Sequence, residues 1–347
     1  MTKLFEPQDI SRSKPKLTPI STELYKEVYE ILNNAYTLPF NNKIILETIH
    51  NNNPTKVNTL VTLSDRKHIL KRIGIENKER LEWESTLSVT LNKEGVPLTK
   101  IIKTSTGNCY ATFNKYTYTM YDFEEGTHFS GKEEELDTAA NFFSKLSACA
   151  ENITLPQPVE TIIFLEKLPD LFREAVHKND NSIISNLCLA SETILESALE
   201  RVRANWKENG RQPIITHLDY HPSNLITRDG RVVCILDLET INPYNPQGAL
   251  GFASYKTIRH MLIGKDPEER VKLAPNLVEC WQNNWNAYFP HLAYSQTEIG
   301  IGASYRVLFL IYLILHRHLK ENNTSSDYDL EKQIVSLSEI EEIYRNE

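Results

Sequence analysis

Cysteine is scarce in this chain of 347 residues, and its few copies are far apart. No two of the five form a C-x-x-C pair, and none has a histidine nearby at the spacing of a metal ligand; they are Cys109, Cys149, Cys188, Cys234 and Cys280. Disulfide frameworks and zinc sites need such clusters. The pattern therefore favours reduced thiols in a cytoplasmic protein.

Positive charge and long apolar runs are also lacking. Lys and Arg number 38 against 46 Asp and Glu, a formal net charge of −8. Nucleic-acid binding needs a basic footprint, so no nucleic-acid partner is expected, and a cationic or neutral small substrate fits better than a polyanion. The longest apolar run, Val307 to Leu315, is far shorter than the roughly 20 residues of a membrane span. The N-terminus lacks the apolar core of a signal peptide, so neither export nor membrane insertion is expected.

The length predicts two lobes, and the predicted secondary structure changes along the chain from mostly strands to mostly helices. Residues 1–20 are polar and interrupted by proline, which predicts a flexible N-terminal arm. Residues 21–124 are predicted to form a nucleotide-binding lobe with an entry helix followed by strand, strand, helix, strand and strand. Its elements are Ser21–Leu38, the hairpin Val57–Leu63 with His68–Ile73, Glu79–Asn92, Lys100–Thr104 and Cys109–Tyr121.

Residues 125–347 read as a larger, mostly helical lobe, so the fold class is α+β. Helical segments are expected near Glu133–Ala150, Ile162–His177, Asn181–Asn209, Pro267–Tyr288 and Ile301–Asn322. The exception is a short strand pair, Leu225–Thr227 and Val232–Asp237, joined by the turn Arg228-Asp229-Gly230.

That strand pair follows the most informative segment of the chain, Thr216–Leu238. Asp219 precedes Asn224 by five positions, and a turn and a β-branched strand then lead to Asp237. This is the order in which phosphoryl-transfer enzymes supply a substrate-orienting carboxylate and two metal ligands. Alone, each residue could equally cap a loop or a turn; together they favour catalysis.

The same residues carry a family resemblance, because the chain resembles the aminoglycoside phosphotransferase and choline kinase superfamily. The matching residues are His217, Asp219, His221 and Asn224 of H-x-D-x-H-x-x-N, Asp237 of I-L-D-L-E, Lys71 of H-I-L-K-R, Glu84 in the next helix, and the hinge-like run Tyr121–Gly126. The resemblance implies a two-lobed, protein-kinase-like fold with a small antiparallel-sheet lobe carrying one main helix. It also implies ATP as phosphoryl donor and Mg²⁺ as cofactor.

Each matching residue can be given a chemical role. Asp219 would orient the attacking hydroxyl, while Asn224 and Asp237 would offer hard oxygen ligands to Mg²⁺. Lys71 would reach the nucleotide phosphates, held by an ion pair with Glu84, with Glu82 as the alternative partner.

The remaining assignments come from the hinge and from the two histidines. The hinge residues Asp122, Phe123 and Glu124 would border the adenine. The resemblance implies that His217 supports the catalytic loop and that His221 shapes the site. A zinc site built on these histidines is the alternative, and the loop context of Pro222 disfavours it.

Two departures from the family pattern bear on the site. The phosphate-covering loop Asn51–Lys56 contains no glycine, so it gives no support for backbone cradling of the γ-phosphate. Beyond Asp237, where relatives place an Asp that braces the catalytic loop, this chain reads Ala249-Leu250-Gly251-Phe252-Ala253-Ser254. Because this Asp braces the catalytic loop in relatives, its absence is expected to affect the rigidity of the loop.

The acceptor is less well specified than the reaction. Glu239 could face a substrate amine or cap a turn. Sugars or amino sugars are favoured over choline, ethanolamine or homoserine, with aminoglycosides as an alternative. A catalytically silent pseudokinase that binds nucleotide or a partner is the alternative of another class, and a protein kinase is disfavoured because no activation segment is visible. Either a monomer or a homodimer is compatible with the sequence.

Overall fold

The structure of the protein is a computed structural model that describes residues 4–6, 17–36, 44–49, 57–63, 66–74, 78–151, 153, 164–178, 182–206 and 212–345. The predicted phosphate-covering loop Asn51–Lys56 lies outside the described residues, as do most of residues 1–20.

The N-terminal lobe is an antiparallel sheet with two helices. Its elements are β1 (Leu17–Pro19), α1 (Thr22–Ala35), β2 (Ile44–Ile49), β3 (Val57–Leu63), β4 (Arg66–Ile73), α2 (Lys78–Lys93), β5 (Ile101–Ile102), β6 (Ala111–Phe113) and β7 (Tyr116–Asp122). The sheet order is β1-β2-β3-β4-β7-β5, and β6 pairs with β7. The predicted hairpin is confirmed as β3 and β4, and it sets Lys71 on a central strand, opposite Asn58 and Thr119.

Helix α1 covers one face of this sheet. It begins where the Ser21 hydroxyl accepts a hydrogen bond from the amide of Leu24, as an N-cap serine does. Its apolar stripe, which includes Val28 and Leu32, is buried with Val61 of β3 and other strand residues in one core. This packing fixes the central strands that carry Lys71.

Two described pieces of the predicted N-terminal arm are packed against the protein. Leu17–Pro19 forms β1 and pairs with Glu47–Ile49. Phe5 is buried in the C-terminal lobe, and its amide donates a 2.7 Å hydrogen bond to the carboxylate of Glu339. The prediction of a flexible arm does not hold for these residues, because polar composition did not reveal one buried aromatic anchor.

The C-terminal lobe consists mainly of helices. Its elements are β8 (Thr127–His128), α3 (Glu133–Cys149), α4 (Phe164–Lys178), α5 (Ile183–Ala190), α6 (Glu192–Asn205), β9 (Ile214–His217), β10 (Leu225–Arg228), β11 (Arg231–Ile235), β12 (Ile241–Tyr244), α7 (Pro246–Leu262), α8 (Pro267–Tyr288), α9 (Gln296–Glu321) and α10 (Tyr328–Ile343). Short 3₁₀ turns lie at Pro222–Asn224 and Leu238–Thr240. The strands form two small sheets, β11-β10-β8 and β12-β9.

The helices of this lobe differ from the sequence prediction in two ways. The helix predicted over Asn181–Asn209 is two helices, because Ser191 ends α5 and begins α6 with non-helical dihedral angles. Helices α7 and α10 were not predicted. Helix α7 is buried on nearly all sides, so its sequence lacks the periodicity that reveals a surface helix.

Helices α7 and α9 pack closely enough to need glycine. A Cβ atom on Gly251 would lie 2.2 Å from the amide nitrogen of Ala303 and 2.4 Å from the carbonyl oxygen of Ile299. Helix α9 is long and apolar enough to cross a membrane by length and composition alone, but 67% of its most apolar window is buried inside the protein. That burial is typical of the core helix of a globular domain.

The two lobes meet along the chain segments that flank the cleft. The amide of Ile235 in β11 donates to the carbonyl of Pro97 at 2.7 Å, and the amide of Thr99 donates to the carbonyl of Ile235 at 3.0 Å. Gly126 ends the hinge-like run, and a Cβ atom there would lie 2.5 Å from the carbonyl oxygen of Thr227. The linker therefore lies directly against the strands that follow the catalytic segment.

The close approach of α7 and α9 predicts the effect of Gly251→Ala. Alanine has the higher helix propensity by about 1 kcal/mol, but its methyl group would overlap backbone atoms of α9. We expect the free energy of unfolding, measured by urea denaturation, to fall by about 1–3 kcal/mol or more. Gly74→Ala is the matched control, because no atom of the described residues lies within 4 Å of its Cβ position. Equal or greater stability of Gly251→Ala would contradict the helix packing described above.

Candidate active site

The structure brings Asp219 and Asn224 together on one loop between β9 and β10. The side-chain amide of Asn224 donates to the backbone carbonyl of Asp219 at 2.9 Å and to its carboxylate at 3.2 Å. Between them, Tyr220 is fully buried and its hydroxyl donates to the carbonyl of Ala139 in α3. The loop is thus anchored to the helical core, and Asp219 is left at the cleft.

Asp219 is held as a carboxylate. Burial opposes its ionisation, but the hydrogen bond from His221 and the electrostatic interaction with His221 outweigh this effect and lower the pKa of Asp219. His221 Nε2 lies 3.2 Å from Asp219 Oδ2, while His221 Nδ1 accepts from the amide of Ser223, so Nε2 carries the hydrogen. A carboxylate oriented in this way can accept a hydrogen bond from a hydroxyl group.

His217 connects this loop to the segment that carries Asp237. Its Nε2 donates to the carbonyl of Leu236 at 2.8 Å, and its Nδ1 accepts from the amide of Asp219 at 3.3 Å. Burial lowers the pKa of His217, which keeps the imidazole neutral and so leaves Nδ1 able to accept. The supporting role that the resemblance implied for His217 agrees with these contacts.

Asp237 stands at the end of β11 in a left-handed backbone conformation, with φ 58° and ψ 60°. Such a conformation costs about 1–3 kcal/mol and often marks a functional position. Its side chain is 46% exposed toward the cleft, 3.9 Å from the ammonium of Lys71. Burial and the neighbouring charge of Glu239 raise the pKa of Asp237, against the effect of Lys71. A cation at this carboxylate would favour the ionised form.

The ion pair expected between Lys71 and Glu84 is replaced by a different one. Lys71 forms a short ion pair with Glu239, and Glu84 accepts a 2.8 Å hydrogen bond from Arg80. Burial alone would lower the pKa of Lys71. The negative charges of Glu239 and Asp237 outweigh this effect, so the pKa of Lys71 is raised. Glu84 is buried in α2 whereas Glu82 is exposed, so the choice between these two acids falls on Glu84. Its partner, however, is an arginine one turn earlier.

Arg80 is a site residue that the sequence interpretation missed. Its guanidinium also donates to the carbonyl of Ile241 at 2.7 Å and to the side chain of Asn242 at 3.0 Å, both in β12. It therefore ties the helix of the N-terminal lobe to the segment after Asp237. The four-residue spacing between Arg80 and Glu84 was the signal that could have identified it.

The hinge-like run joins β7 to β8 along the cleft. The amide of Asp122 donates to the carbonyl of Lys100 at 2.9 Å, and the amide of Phe123 donates to the carbonyl of Lys67 at 3.3 Å. Glu124 forms a 3.0 Å ion pair with Arg228 across to the C-terminal lobe. The backbone amides of Asp122 and Phe123 are thus already engaged within the protein.

Asn224 and Asp237 form a donor set that fits Mg²⁺. Because the amide nitrogen of Asn224 faces Asp219, its oxygen points away from that residue and is available to a cation, as is the half-exposed carboxylate of Asp237. Mg²⁺ characteristically takes one or two protein oxygens and fills its other positions with water and phosphate. Among the described residues no cluster of three or more His, Cys, Asp or Glu could hold a metal.

The catalytic loop is braced without the acid that relatives place after Asp237. The region Ala249–Ser254 lies within α7 and contributes no carboxylate. Two backbone hydrogen bonds join the loop to the segment around Asp237: Leu236 N donates to Asn224 O at 2.9 Å, and Leu218 N donates to Thr240 O at 3.0 Å. The side chain of Arg306 in α9 also donates, from Nη2, to the carbonyl of Leu218 at 3.5 Å.

Solved structures of phosphotransferases share this fold. An aminoglycoside phosphotransferase from Alicyclobacillus acidocaldarius aligns with a TM-score of 0.64 at 16% identity, covering 97% of each chain. A spectinomycin phosphotransferase in complex with ADP and spectinomycin gives 0.65 at 11% identity, covering 92% of this chain and 98% of its own. A microcompartment-associated aminopropanol kinase gives 0.55 at 14% identity, covering 91% and 95%. At these identities the likeness shows the fold, which confirms the predicted α+β, kinase-like architecture.

The sequence itself matches a family as well. No curated protein matches it significantly. Residues 56–247 match the phosphotransferase enzyme family, a span that runs from β3 through the catalytic loop to the start of α7. This span is more than half of the chain and includes Lys71, Asp219, Asn224 and Asp237, and the protein therefore belongs to the phosphotransferase enzyme family.

Proposed function

We propose that this protein is a kinase that transfers the γ-phosphate of ATP to a hydroxyl group of a small polar molecule, with Mg²⁺ as cofactor. The observation that carries the proposal is the convergence of Asp219, Asn224, Asp237 and Lys71 on one cleft, with the distances given above. Phosphoryl transfer depends on positioning and charge more than on covalent participation by the protein. The four side chains can position the reacting groups and balance their charge.

In the proposed reaction the acceptor hydroxyl oxygen forms a bond to the γ-phosphorus as the bond to the β–γ bridging oxygen breaks, which releases ADP. Asp219 orients the hydroxyl and receives its proton late in the transfer. Asn224 and Asp237 would hold Mg²⁺, which when bound neutralises charge on the phosphate oxygens. Lys71 supplies a positive charge. Its ammonium stays protonated at neutral pH because the pKa of Lys71 is raised.

We place the nucleotide between Lys71 and the run Tyr121–Gly126, with adenine against Asp122, Phe123 and Glu124. The carboxylate of Glu239 forms an ion pair with Lys71. Phosphate groups would compete for the same ammonium. We therefore assign Glu239 to the nucleotide side of the site as a counter-ion of Lys71, in preference to a contact with a substrate amine.

The acceptor proposed from the sequence is a sugar or a related polyhydroxylated metabolite, ahead of amino alcohols. The solved relatives include a spectinomycin phosphotransferase and an aminopropanol kinase, so both kinds of acceptor occur on this fold. We infer from the sequence that the protein acts in the cytoplasm, as a monomer or a homodimer. A silent pseudokinase is the alternative, and the intact set of Asp219, Asn224 and Asp237 disfavours it.

Replacement of the proposed base tests the reaction class. Asp219→Asn retains the size of the side chain but cannot accept the proton, so we expect ADP release with a panel of sugars, amino alcohols, homoserine and aminoglycosides to fall by about 10²–10⁴-fold. Asp229→Asn is the control, because Asp229 lies in an exposed turn with φ 52°, a conformation that asparagine tolerates. Acceptor-dependent turnover by Asp219→Asn at the wild-type rate would contradict the assignment.

Removal of the charge on Asp237 tests the metal site. Asparagine also tolerates the left-handed conformation, so Asp237→Asn should fold while it loses a carboxylate ligand. Loss of a group that merely supports a ligand costs roughly 10–100-fold in metal affinity, and we expect the Mg²⁺ concentration for half-maximal nucleotide binding to rise at least about 10-fold. An unchanged Mg²⁺ dependence, measured by calorimetric titration, would place the metal elsewhere.

Glu239→Gln separates the two roles considered for Glu239. If this carboxylate balances Lys71 before nucleotide binds, its removal frees the ammonium, and the affinity for Mg²⁺-ATP should increase by a few-fold while the KM of the acceptor stays nearly constant. If Glu239 instead binds an acceptor amine, the KM of amine-bearing acceptors should rise and nucleotide affinity should not change. Steady-state kinetics with both substrates varied distinguishes these results.

A further inference from the structure

Arg80 of α2 reaches from the N-terminal lobe to the chain segment that follows Asp237. Its Nη2 donates to the carbonyl of Ile241 at 2.7 Å and to the carbonyl of Glu239 at 3.3 Å. Its Nη1 donates to Oδ1 of Asn242 at 3.0 Å. A guanidinium presents its donors in a rigid plane, so one side chain can hold several acceptors in a defined relation. Arg80 therefore bonds the N-terminal lobe to the backbone two and four residues beyond Asp237.

The guanidinium of Arg80 is itself held from the N-terminal side. Its Nε donates to the carboxylate of Glu84 at 2.8 Å, one turn later in α2, and Glu84 is only 2% exposed. The guanidinium also lies 4.4 Å from the ring of Trp83, which is buried in the same core as Leu87. A buried carboxylate and an aromatic face restrict the conformations that an arginine can adopt. Arg80 is therefore a rigid connection between the lobes.

The turn that Arg80 contacts carries two acids of the site. Asp237 and Glu239 both lie close to the ammonium of Lys71. Asp237 has a left-handed backbone conformation, and such a conformation persists only where surrounding contacts determine it. The bonds from Arg80 to the carbonyls of Glu239 and Ile241 are contacts of this kind. They link Arg80 to the direction in which Asp237 carries its carboxylate.

We propose that Arg80 is a positioning residue, which sets the place of the Asp237 carboxylate relative to the ammonium of Lys71. The inference rests on the kinase function proposed above and adds to it a residue that acts through others. Phosphoryl transfer requires the metal ligands and the cationic side chain to act on one phosphate group. Arg80 connects the lobe that carries Lys71 with the segment that carries Asp237. Glu84, which was expected to orient Lys71, orients Arg80 instead.

Removal of Arg80 alone would leave a buried charge behind, so the variants are made in two steps. Arg80→Met takes the guanidinium away from Glu84, and an unpaired buried carboxylate destabilises a protein independently of any role in a site. The double variant, Arg80→Met with Glu84→Gln, removes that charge as well. Its reference is Glu84→Gln alone, in which Arg80 can keep its bonds to Ile241 and Asn242. The difference between these two proteins reports on the bonds between the lobes.

Arg72→Met is the matched control. Arg72 belongs to the same lobe, and its side chain is 18% exposed against 20% for Arg80. It pairs with Glu27 at 3.4 Å and lies 4.3 Å from the ring of Tyr116. Because side chains alternate along a strand, Arg72 lies on the opposite face of β4 from Lys71. Within the described residues its bonds stay in the N-terminal lobe.

Hydrogen exchange of the protein without ligands tests the positioning directly. The amide of Thr240 donates to the carbonyl of Asp237 at 3.0 Å, and the amide of Leu218 donates to the carbonyl of Thr240 at 3.0 Å. The exchange rates of these two amides report opening of the turn. We expect them to increase by about 10-fold or more in the double variant relative to Glu84→Gln, and to stay at the wild-type value in Arg72→Met. Equal rates in the double variant and in Glu84→Gln would overturn the proposal.

Nucleotide binding tests the consequence for the metal ligands. In calorimetric titrations with AMP-PNP, the Mg²⁺ concentration for half-maximal binding should rise about 10-fold in the double variant relative to Glu84→Gln. The affinity without Mg²⁺ should change little, because β4 still carries Lys71. Arg80→Lys should lie between the wild type and Arg80→Met, since an ammonium replaces some of the donors but not their planar arrangement. Equal losses of affinity with and without Mg²⁺ would indicate a general structural role and rule out positioning.

Failure of the kinase function gives a different result. It would appear as a lack of Mg²⁺-dependent nucleotide binding in the wild-type protein, whereas the exchange rates in the protein without ligands would still show whether Arg80 holds the turn. A wild-type protein with Mg²⁺-dependent binding and a double variant with the same Mg²⁺ dependence as Glu84→Gln would leave the kinase function intact and contradict the role of Arg80.

Discussion

The site depends on the hydrogen bonds that hold the catalytic loop and the Asp237 segment in one fixed relation. Neutral His217 bonds to Leu236 on one side and to the amide of Asp219 on the other. Two backbone hydrogen bonds, from Leu236 to Asn224 and from Leu218 to Thr240, connect the same two segments. Because an error of about 1 Å in position can cost 10²-fold in rate, this small network sets the relative position of the three side chains that are proposed to act on one phosphate group.

The rest of the cleft is organised by charge. Lys71 of the N-terminal lobe lies between Glu239 and Asp237 of the C-terminal lobe, while Arg80 joins Glu84 of its own helix to the backbone of β12. In a partly buried site such pairs are strong but costly to desolvate. The phosphates of a bound nucleotide would compete with these carboxylates for Lys71.

The sequence predicted the reaction class and the arrangement of strands because both depend on local patterns. The spacing of Asp219, Asn224 and Asp237 is a property of one loop and one hairpin, and the alternation in β3 and β4 is directly visible. Ion-pair partners were harder, since Lys71 and Glu239 are separated by 168 positions and meet only when the lobes pack. The choice of Glu84 as partner of Lys71 was wrong for this reason, and Arg80 was overlooked.

The helical lobe shows the same limit. Helix α7 is buried on nearly every side, and its close contact with α9 depends on Gly251, which reads as a helix breaker in isolation. Burial of Phe5 by a helix more than three hundred residues later was equally invisible. In contrast, the sequence of α10 does show a helical pattern, because Leu330, Ile334, Leu337 and Ile340 recur at helical spacing. This helix could therefore have been predicted from the sequence.

The central claim is that the cleft binds ATP through Lys71 and through a cation held by Asn224 and Asp237. A calorimetric titration of the wild-type protein with AMP-PNP, in the presence and absence of Mg²⁺, tests it most directly. The account predicts binding that is much tighter with Mg²⁺ than without it. Failure to bind the nucleotide, or equal affinity under both conditions, would contradict it.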